Sequence, residues 1–269
     1  MALMHVSFFS ESLELSCSMD VIVPQPETEG QIGMAGAPTR ERYPVLHLLH
    51  GLSDDHSIWQ RRTSVERYAA ELPLIIVMPA VNRSFYSDEK VGNRYFTFVS
   101  QELPRLVRHF FPASGKREDT FAAGLSMGGY GALKLGLRCP DKFAAVASLS
   151  GAVDMSLALR EKLKASPGNA IDAEQFNYFA PQFGTPEEFL GSGGDLAAVF
   201  DRNLAAGVTM PKVYMACGTE DFLLDQNRAM RTRMRDKLDL TYIEEPGDHE
   251  WGFWDKHIQA VLSWLPIGK

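Results

Sequence analysis

The sequence has few cysteines and no excess of basic residues, and both shortages limit what the protein can be. Its three cysteines, Cys17, Cys139 and Cys217, are odd in number, far apart and without metal-ligand spacing, which is typical of free thiols in a reducing compartment. Lysine and arginine number 27 against 34 aspartates and glutamates, for a net charge of −7. Because such a surface repels phosphate groups and no basic stripe interrupts it, we expect no nucleic-acid partner.

Long apolar runs are also missing. The first twenty residues contain three acidic side chains and neither lysine nor arginine, unlike a secretory signal. The longest apolar stretch, residues 72–81, contains two prolines and is too short to cross a bilayer. We therefore expect a cytoplasmic protein without a membrane partner. A chain of 269 residues, 45% of them hydrophobic, can bury one large core without a disulfide or a structural metal.

Short apolar runs alternate with segments of helical spacing over most of the chain. Apolar residues occupy alternate positions from Leu13 to Val23, which predicts a strand with one buried face. The later runs are Val45–Leu49, Leu74–Met78, Thr120–Ala123, Ala144–Leu149, Lys212–Ala216 and Leu240–Ile243. This alternation predicts a single α/β domain spanning residues 1–269, with a mostly parallel sheet and helices on both faces.

Two of the predicted helices have recognisable ends. Apolar spacing favours a helix over residues 96–110, and Pro104 should kink it or make it start afresh. Another helix should begin after Ser126 and end near Cys139, because a proline follows.

Two segments fit no regular element. Pro24–Pro44 is rich in proline, glycine and polar residues, which predicts a mobile surface loop. About sixty residues separate the runs that end at Leu149 and begin at Lys212, more than a parallel crossover requires. The excess, at about 152–208, contains several aromatic residues: Phe176, Tyr178, Phe179 and Phe183. It is either decoration packed on the core or a partial cap over an active site.

The strongest chemical signal is the sequence Gly124–Gly128, which matches the pattern G-x-S-x-G around Ser126. In that pattern the serine occupies a strained turn from a strand to a helix, and small residues two places away allow the two elements to pass closely. A predicted strand precedes the motif and a predicted helix follows it. Ser126 is therefore predicted to be a nucleophile.

A serine hydroxyl needs a base to act as a nucleophile at neutral pH. In the strand–turn–helix setting the order along the chain is serine, acid, histidine, and only His249 and His257 follow Ser126. His249 lies in a tight loop after the last predicted strand, whereas His257 lies in a predicted helix over 254–265. We therefore predict that His249 is the base.

The base in turn needs an acid to orient it, and the acid should follow the preceding strand. Asp221 stands just beyond the predicted Lys212–Ala216 strand. Glu220 would point the opposite way if the chain stays extended, and Asp225 is expected to cap the next helix. Asp221 is the predicted acid.

The fourth requirement is an oxyanion hole made of two N–H groups. One should come from Met127, next to the nucleophile, and the other from Leu52, in the loop after the Val45–Leu49 strand. His50, in that loop, is predicted to be structural. We expect substrate contacts from Gly51, Tyr86 and Trp251, with core packing an equal possibility for Tyr86. No cofactor or metal is expected.

Five stretches together resemble a known family, the esterase D-like branch of the α/β-hydrolases, and most closely the bacterial tributyrin esterases. They are residues 45–52, Trp59 with 62–67, 121–131, 217–223 and 247–251. The resemblance implies an α/β-hydrolase fold, hydrolysis of short-chain acyl esters, and Ser126, Asp221 and His249 as the triad with Leu52 and Met127 as oxyanion donors. It also implies a homo-oligomer, either a dimer or a tetramer.

Three other functions are compatible with these residues. An S-formylglutathione hydrolase would use the same triad on a thioester, and it should show a cationic recess that we cannot point to in the sequence. A sugar or feruloyl ester deacylase would also use this triad. A non-catalytic α/β-hydrolase that serves as a binding module would normally lack a member of the triad, and all three are present here.

Overall fold

A single eight-stranded sheet forms the centre of the protein, in a computed structural model that describes residues 1–25, 32, 36–157 and 180–268. The strands are β1 (Ala2–Ser10), β2 (Leu15–Val23), β3 (Val45–Leu49), β4 (Ile75–Pro79), β5 (Thr120–Leu125), β6 (Ala145–Leu149), β7 (Lys212–Gly218) and β8 (Leu240–Glu245). Their order across the sheet is β1-β2-β4-β3-β5-β6-β7-β8. β2 pairs antiparallel with β1 and β4, and the strands from β4 to β8 run parallel.

Helices cover both faces of this sheet. They are α1 (Ile58–Arg62), α2 (Val65–Tyr68), α3 (Tyr95–Thr97), α4 (Leu103–Phe110), α5 (Met127–Arg138), α6 (Ala180–Phe183), α7 (Pro186–Phe189), α8 (Leu196–Ala205), α9 (Leu224–Met234) and α10 (Trp251–Trp264). The core on one face contains apolar residues of α4, α5, α8 and α9, and the core on the other contains those of α1, α2 and α10. Every residue of β3, β4 and β6 is buried, as a parallel sheet covered on both sides requires.

The predicted alternation is confirmed, since each of the seven apolar runs coincides with most of a strand of the sheet. The first strand begins later than predicted, because Leu13 lies in the turn between β1 and β2. The sequence pattern did not predict strand β1. Its outward positions carry apolar residues such as Leu3 and Phe9, so the contrast between the two faces is weak. Strand order and burial are those of an α/β-hydrolase, as predicted.

The two helix predictions are also confirmed. A π-helical segment, Phe98–Glu102, interrupts the helix just before Pro104, and α4 starts afresh with this proline in its first turn. In the first turn a residue needs no N–H for an intrahelical bond. α5 ends at Arg138, next to Cys139. Among the described residues no helix is both long and apolar enough to cross a membrane.

The two irregular segments are only partly described. Within Pro24–Pro44, residues 26–31 and 33–35 lie outside the described residues, so the predicted loop is not tested there. Within 152–208, residues 158–179 lie outside them, including three of the four aromatic side chains. The fourth, Phe183, is buried with its ring centroid 5.5 Å from that of Phe85 and 4.9 Å from that of Phe189. This part packs on the core, and a cap over the active site stays a prediction.

Candidate active site

Ser126 lies at a sharp turn between β5 and α5, at the carboxyl edge of the parallel strands. Its backbone has φ 52° and ψ −116°, a conformation that costs free energy for a residue with a side chain. A Cβ on Gly128 would lie 2.3 Å from the Leu49 carbonyl oxygen, and one on Gly124 would lie 2.5 Å from the Gly128 backbone. Only glycine therefore lets β3, β5 and α5 pass closely enough to hold the serine in this turn.

His249 reaches Ser126 from the loop after β8. Its Nε2 lies 3.1 Å from the Ser126 Oγ, and its Nδ1 lies 2.9 Å from Asp221 Oδ2 and 3.1 Å from Asp221 Oδ1. The Ser126 hydroxyl is half-buried and the His249 side chain is 17% exposed, whereas the Asp221 side chain is fully buried. The three residues form one continuous chain of hydrogen bonds that opens to solvent at the serine end.

Asp221 follows β7, where its carboxylate is held by more than the histidine. Its Oδ1 accepts a hydrogen bond from the Leu223 N–H at 2.8 Å. Burial by itself would raise the pKa of Asp221, but the hydrogen bonds from His249 and Leu223 outweigh it and the pKa is lowered. The carboxylate is thus charged at neutral pH and keeps a proton on the Nδ1 of His249.

The loops that carry Asp221 and His249, the predicted acid and base, are joined through their backbones. The N–H groups of Thr219 and Glu220 donate to the carbonyl oxygens of Glu245 and Gly247 at 2.9 and 3.0 Å. The Glu220 carboxylate accepts from the Gly247 N–H at 2.6 Å. Glu220, considered as a rival acid, therefore fastens the base loop and does not contact the imidazole of His249.

The prediction that Asp225 caps the helix after the acid is wrong. α9 begins at Leu224, its N-cap residue is Leu223, and no side chain caps it. Asp225 lies inside the first turn, where a negative charge still faces the positive end of the helix. The Leu223 N–H, just before the helix, donates to the Asp221 carboxylate.

His257, the other histidine after the serine, lies in α10 and is buried, with 3% of its surface exposed. Its Nε2 lies 2.9 Å from Glu245 Oε1 and its Nδ1 lies 3.3 Å from the Tyr214 hydroxyl. Burial lowers its pKa despite the neighbouring carboxylate. Both of its ring nitrogens thus contact residues other than Ser126.

The two predicted oxyanion donors lie on either side of the serine turn. Met127 is the first residue of α5, and Leu52 lies in the loop after β3. Within the described part of the chain neither N–H donates to a protein acceptor. The side chain of His50 stabilises the second loop, since its Nε2 accepts from the Val81 N–H at 3.0 Å and its Nδ1 donates to the Gly51 carbonyl at 2.7 Å.

Burial lowers the pKa of His50 to about 4, so its imidazole is neutral and one tautomer satisfies both hydrogen bonds. The predicted structural role of His50 agrees with this geometry. Its two hydrogen bonds stabilise the backbone of the loop that contains Leu52.

The sequence around this site, and most of the rest of the chain, matches a known protein family. The model of the Esterase family matches residues 12–265, nearly the whole chain. The protein belongs to this family. An acetyl esterase from Caldicellulosiruptor saccharolyticus is 32% identical to this protein over 270 residues, which cover 98% of each of the two chains. The protein is called the esterase below.

Two solved structures extend the likeness. The fluorophosphonate-binding serine hydrolase FphF of Staphylococcus aureus superimposes on the esterase with a TM-score of 0.82 at 30% identity, and the S-formylglutathione hydrolase FrmB of Staphylococcus aureus does so with 0.80 at 30%. In both comparisons 98% of each chain is covered. The esterase is thus a carboxylic ester hydrolase with the α/β-hydrolase fold.

The three residues predicted to contact substrate have different surroundings in the esterase. Tyr86 is fully buried, and its hydroxyl donates to the His50 carbonyl at 3.0 Å, so it supports the loop that contains Leu52 and offers no surface to a substrate. Gly51 has only its backbone to offer to a substrate. A Cβ at this position would lie 2.7 Å from the Leu125 side chain. Trp251 is half-buried, edge-on to Trp59 with centroids 5.4 Å apart.

Two aromatic residues beside the base were missed. Phe222 is 74% exposed, and its ring centroid lies 4.5 Å from that of His249. The buried Trp254 ring stands edge-on to the imidazole at 4.9 Å. The position of Phe222, directly after the acid, could have pointed to the first; the second depends on how α10 packs. The esterase therefore presents an exposed aromatic surface next to His249.

Proposed function

We propose that this esterase hydrolyses short-chain acyl esters through a Ser126–His249–Asp221 triad and an acyl-enzyme intermediate. One observation carries the proposal: the unbroken hydrogen-bond chain from Ser126 Oγ through both nitrogens of His249 to the buried Asp221 carboxylate. Serine hydrolases of unrelated folds share this arrangement because a neutral imidazole, held in one tautomer, can accept the hydroxyl proton.

The reaction proceeds in two halves. Ser126 Oγ attacks the acyl carbon while its proton passes to His249 Nε2. The tetrahedral intermediate then collapses, its bond to the alcohol oxygen breaks, and His249 returns the proton to the departing alcohol. In the second half a water molecule gives a proton to His249 and attacks the acyl carbon. The bond between that carbon and Ser126 Oγ then breaks, and His249 returns the proton to Oγ as the acid is released. Asp221 stabilises the positive imidazole in both halves.

The Leu52 and Met127 N–H groups supply the oxyanion hole. Both are unbonded to protein acceptors among the described residues, and Met127 stands at the N-terminus of α5, where the helix dipole favours negative charge. A donor of this kind typically contributes about 10²–10³ in rate. His50 and Tyr86 hold the Leu52 loop in place.

The short acyl chain is supported by the acetyl esterase that is 32% identical over nearly all of both chains. The experiment is hydrolysis of p-nitrophenyl esters from acetate to decanoate, with Ser126→Ala measured alongside. We expect the highest kcat/KM for acyl groups of two to four carbons and no turnover above background in the variant. Activity that rises towards decanoate would overturn the short-chain assignment, and equal activity in the variant would overturn the triad.

A thioester substrate is the second candidate, because the S-formylglutathione hydrolase FrmB is 30% identical over 98% of both chains. S-formylglutathione and p-nitrophenyl acetate compared on one enzyme preparation separate the two functions. A kcat/KM for the thioester that exceeds that for the acetate at least tenfold would make the thioester the substrate. Inactivity towards both would favour a feruloyl or sugar ester, or a binding module.

We also propose that the esterase is a cytoplasmic homo-oligomer, on the basis of the family resemblance, the free cysteines and the acidic composition. Light scattering coupled to gel filtration gives the assembly directly. A mass of two or four chains supports the proposal, and a mass of 29.9 kDa, that of one chain, would refute it.

A further inference from the structure

A second group of chemically active side chains lies away from the serine, at the antiparallel edge of the sheet. His5 of β1 is directly opposite Asp20 of β2 in the antiparallel register, so both side chains project from the same face. His56, in the loop between β3 and α1, approaches them, and its ring centroid lies 5.0 Å from that of His5. Three separate segments of the chain thus bring two imidazoles and a carboxylate together.

The atoms of this cluster are close enough to share a partner. One nitrogen of each histidine and one Asp20 oxygen all lie within 4.8 Å of one another. His5 Nδ1 and Asp20 Oδ1 are 2.6 Å apart, and Gln60 Nε2 donates to Asp20 Oδ2 at 3.1 Å. Gln60 therefore holds the carboxylate with its other oxygen turned towards His5, as an outer-shell residue orients a metal ligand.

One buried nitrogen of these two histidines has no partner within the described residues. His56 Nδ1 is buried and makes no hydrogen bond within the described residues, although a buried polar atom without a partner costs about 1–3 kcal/mol. Asp20 is 6% exposed, whereas the His5 side chain is 59% exposed. The cluster thus combines an unsatisfied nitrogen, a buried negative charge and an opening to solvent. A cation that enters past His5 would give the nitrogen a partner and would balance the negative charge.

We propose that His5, Asp20 and His56 bind a divalent transition-metal ion such as Zn²⁺. Two imidazoles and one carboxylate form a donor set that suits this class of ion, with water completing the coordination. Bonds of about 2.0–2.2 Å at tetrahedral angles place ligand atoms roughly 3.3 Å apart. The distance between His5 Nδ1 and Asp20 Oδ1 must therefore increase slightly, and the longer distances to His56 must decrease. Rotation of the side chains can do this, and the His5 side chain is largely exposed.

The metal would fasten the β1–β2 hairpin to the segment between β3 and α1. That segment also contains Leu52, the proposed oxyanion donor, but the ion would touch no residue of the triad. A bound ion that bridges separate segments stabilises the folded state, because the unfolded chain does not hold the ligands together. The site is therefore a structural one, and its occupancy should raise the unfolding temperature.

The test is calorimetric titration of Zn²⁺ into full-length protein freed of its purification tag and of metal. The variants are His5→Ala, His56→Ala and Asp20→Asn, and the matched control is His109→Ala, which removes an exposed histidine of α4 outside the cluster. We expect one Zn²⁺ per chain, affinity weakened at least about tenfold in each of the three variants, and no change in the control. Zn²⁺ should raise the unfolding temperature of the wild type and of the control only.

Binding at the triad histidine must be separated from binding at this cluster. The titration is therefore repeated in a His249→Ala background, where the same stoichiometry and the same loss in the His5→Ala variant are expected. Undiminished affinity in the cluster variants, loss of binding with His249→Ala alone, or no binding by the wild type would each overturn the proposal. Circular dichroism of every variant verifies that the fold is retained.

Discussion

Two groups in the described part of the protein each consist of a histidine, a carboxylate and a hydroxyl, and only one of them is the proposed catalytic triad. In the first, His249 joins Asp221 to Ser126. In the second, His257 joins Glu245 to Tyr214. His249 and His257 both follow β8, and the hydrogen bonds of the two groups span a similar range of distances. Their chemistry differs because their surroundings differ.

Three differences separate the groups. The Ser126 hydroxyl is half-buried at a strained turn and adjoins the free N–H of Met127, whereas the Tyr214 hydroxyl is buried among core residues. Burial and the nearby Glu245 charge raise the pKa of Tyr214 to about 12. The carboxylate is buried in the first group, whereas Glu245 in the second is partly exposed and also pairs with Lys256. A triad thus requires access and a place for the oxyanion, in addition to three residue types.

Removing the hydroxyl of each group should give the largest contrast. Ser126→Ala should lower kcat by several orders of magnitude, about 10⁵–10⁶, because the nucleophile is lost while the fold accepts the smaller side chain. Tyr214→Phe should leave kcat within about twofold and lower the free energy of unfolding by about 1 kcal/mol, the value of one buried hydrogen bond. Steady-state hydrolysis of p-nitrophenyl acetate and urea unfolding measure the two effects. A large loss of activity in Tyr214→Phe would make the second group part of the site.

Neutralising the carboxylate of each group should give the next largest difference. Asp221→Asn should lower kcat about 10³–10⁴-fold, because an amide can donate to Nδ1 and so favours the wrong tautomer of His249. Glu245→Gln keeps a hydrogen bond to His257 and should change kcat less than about twofold. The same assay at pH 7.5 compares them. Comparable losses in both variants would contradict a role confined to Asp221.

The ring beside His257 is that of the buried Phe253, at 4.2 Å, whereas Phe222 beside His249 is exposed, and removing Phe222 should have a moderate effect. Its exposed ring lies against the His249 imidazole, so Phe222→Ala should raise KM for p-nitrophenyl butyrate several-fold and change kcat less. Truncating the exposed Phe110 of α4 to alanine is the matched control and should leave both constants unaltered. Unchanged KM in the Phe222 variant would exclude the ring from the binding surface.

The smallest effect concerns pH and belongs to His257. Burial lowers its pKa in the folded state, so below about pH 6.5 the unfolded chain takes up the proton more readily and stability falls. Above that pH both states are neutral and the contribution vanishes. His257→Gln should therefore lose less stability than the wild type between pH 7.5 and 5.5 in urea unfolding. His109→Gln, which alters an exposed histidine, should follow the wild type; a His257 variant that does the same would refute the assignment.

The sequence was informative where function depends on neighbours along the chain. The turn at Ser126 could be predicted because Gly124, Gly128, the strand before them and the helix after them are contiguous. The positions of Asp221 and His249 followed from strands whose apolar runs are short and clear. These signals are local, and together they predicted the parallel strands, the turn at Ser126 and the residues that the structure brings together there.

Features that depend on register or tertiary packing could not be predicted. β1 has apolar residues on both faces, and its pairing of His5 with Asp20 depends on the hairpin register. The burial of Tyr86 under His50, the edge-on packing of Trp254 against His249 and the absence of a cap by Asp225 all depend on contacts between distant segments. A sequence pattern lists candidates for such contacts without choosing among them.

The backbone bonds between the acid and base loops have a consequence for how enzymes of this kind diverge. Because Thr219 and Glu220 are tied to Glu245 and Gly247, the loops that carry Asp221 and His249 are joined by bonds to which the long segment between β6 and β7 does not contribute. That segment can gain or lose residues without altering the distance between Asp221 and His249. Substrate range can therefore change over generations while the proton-transfer apparatus stays the same.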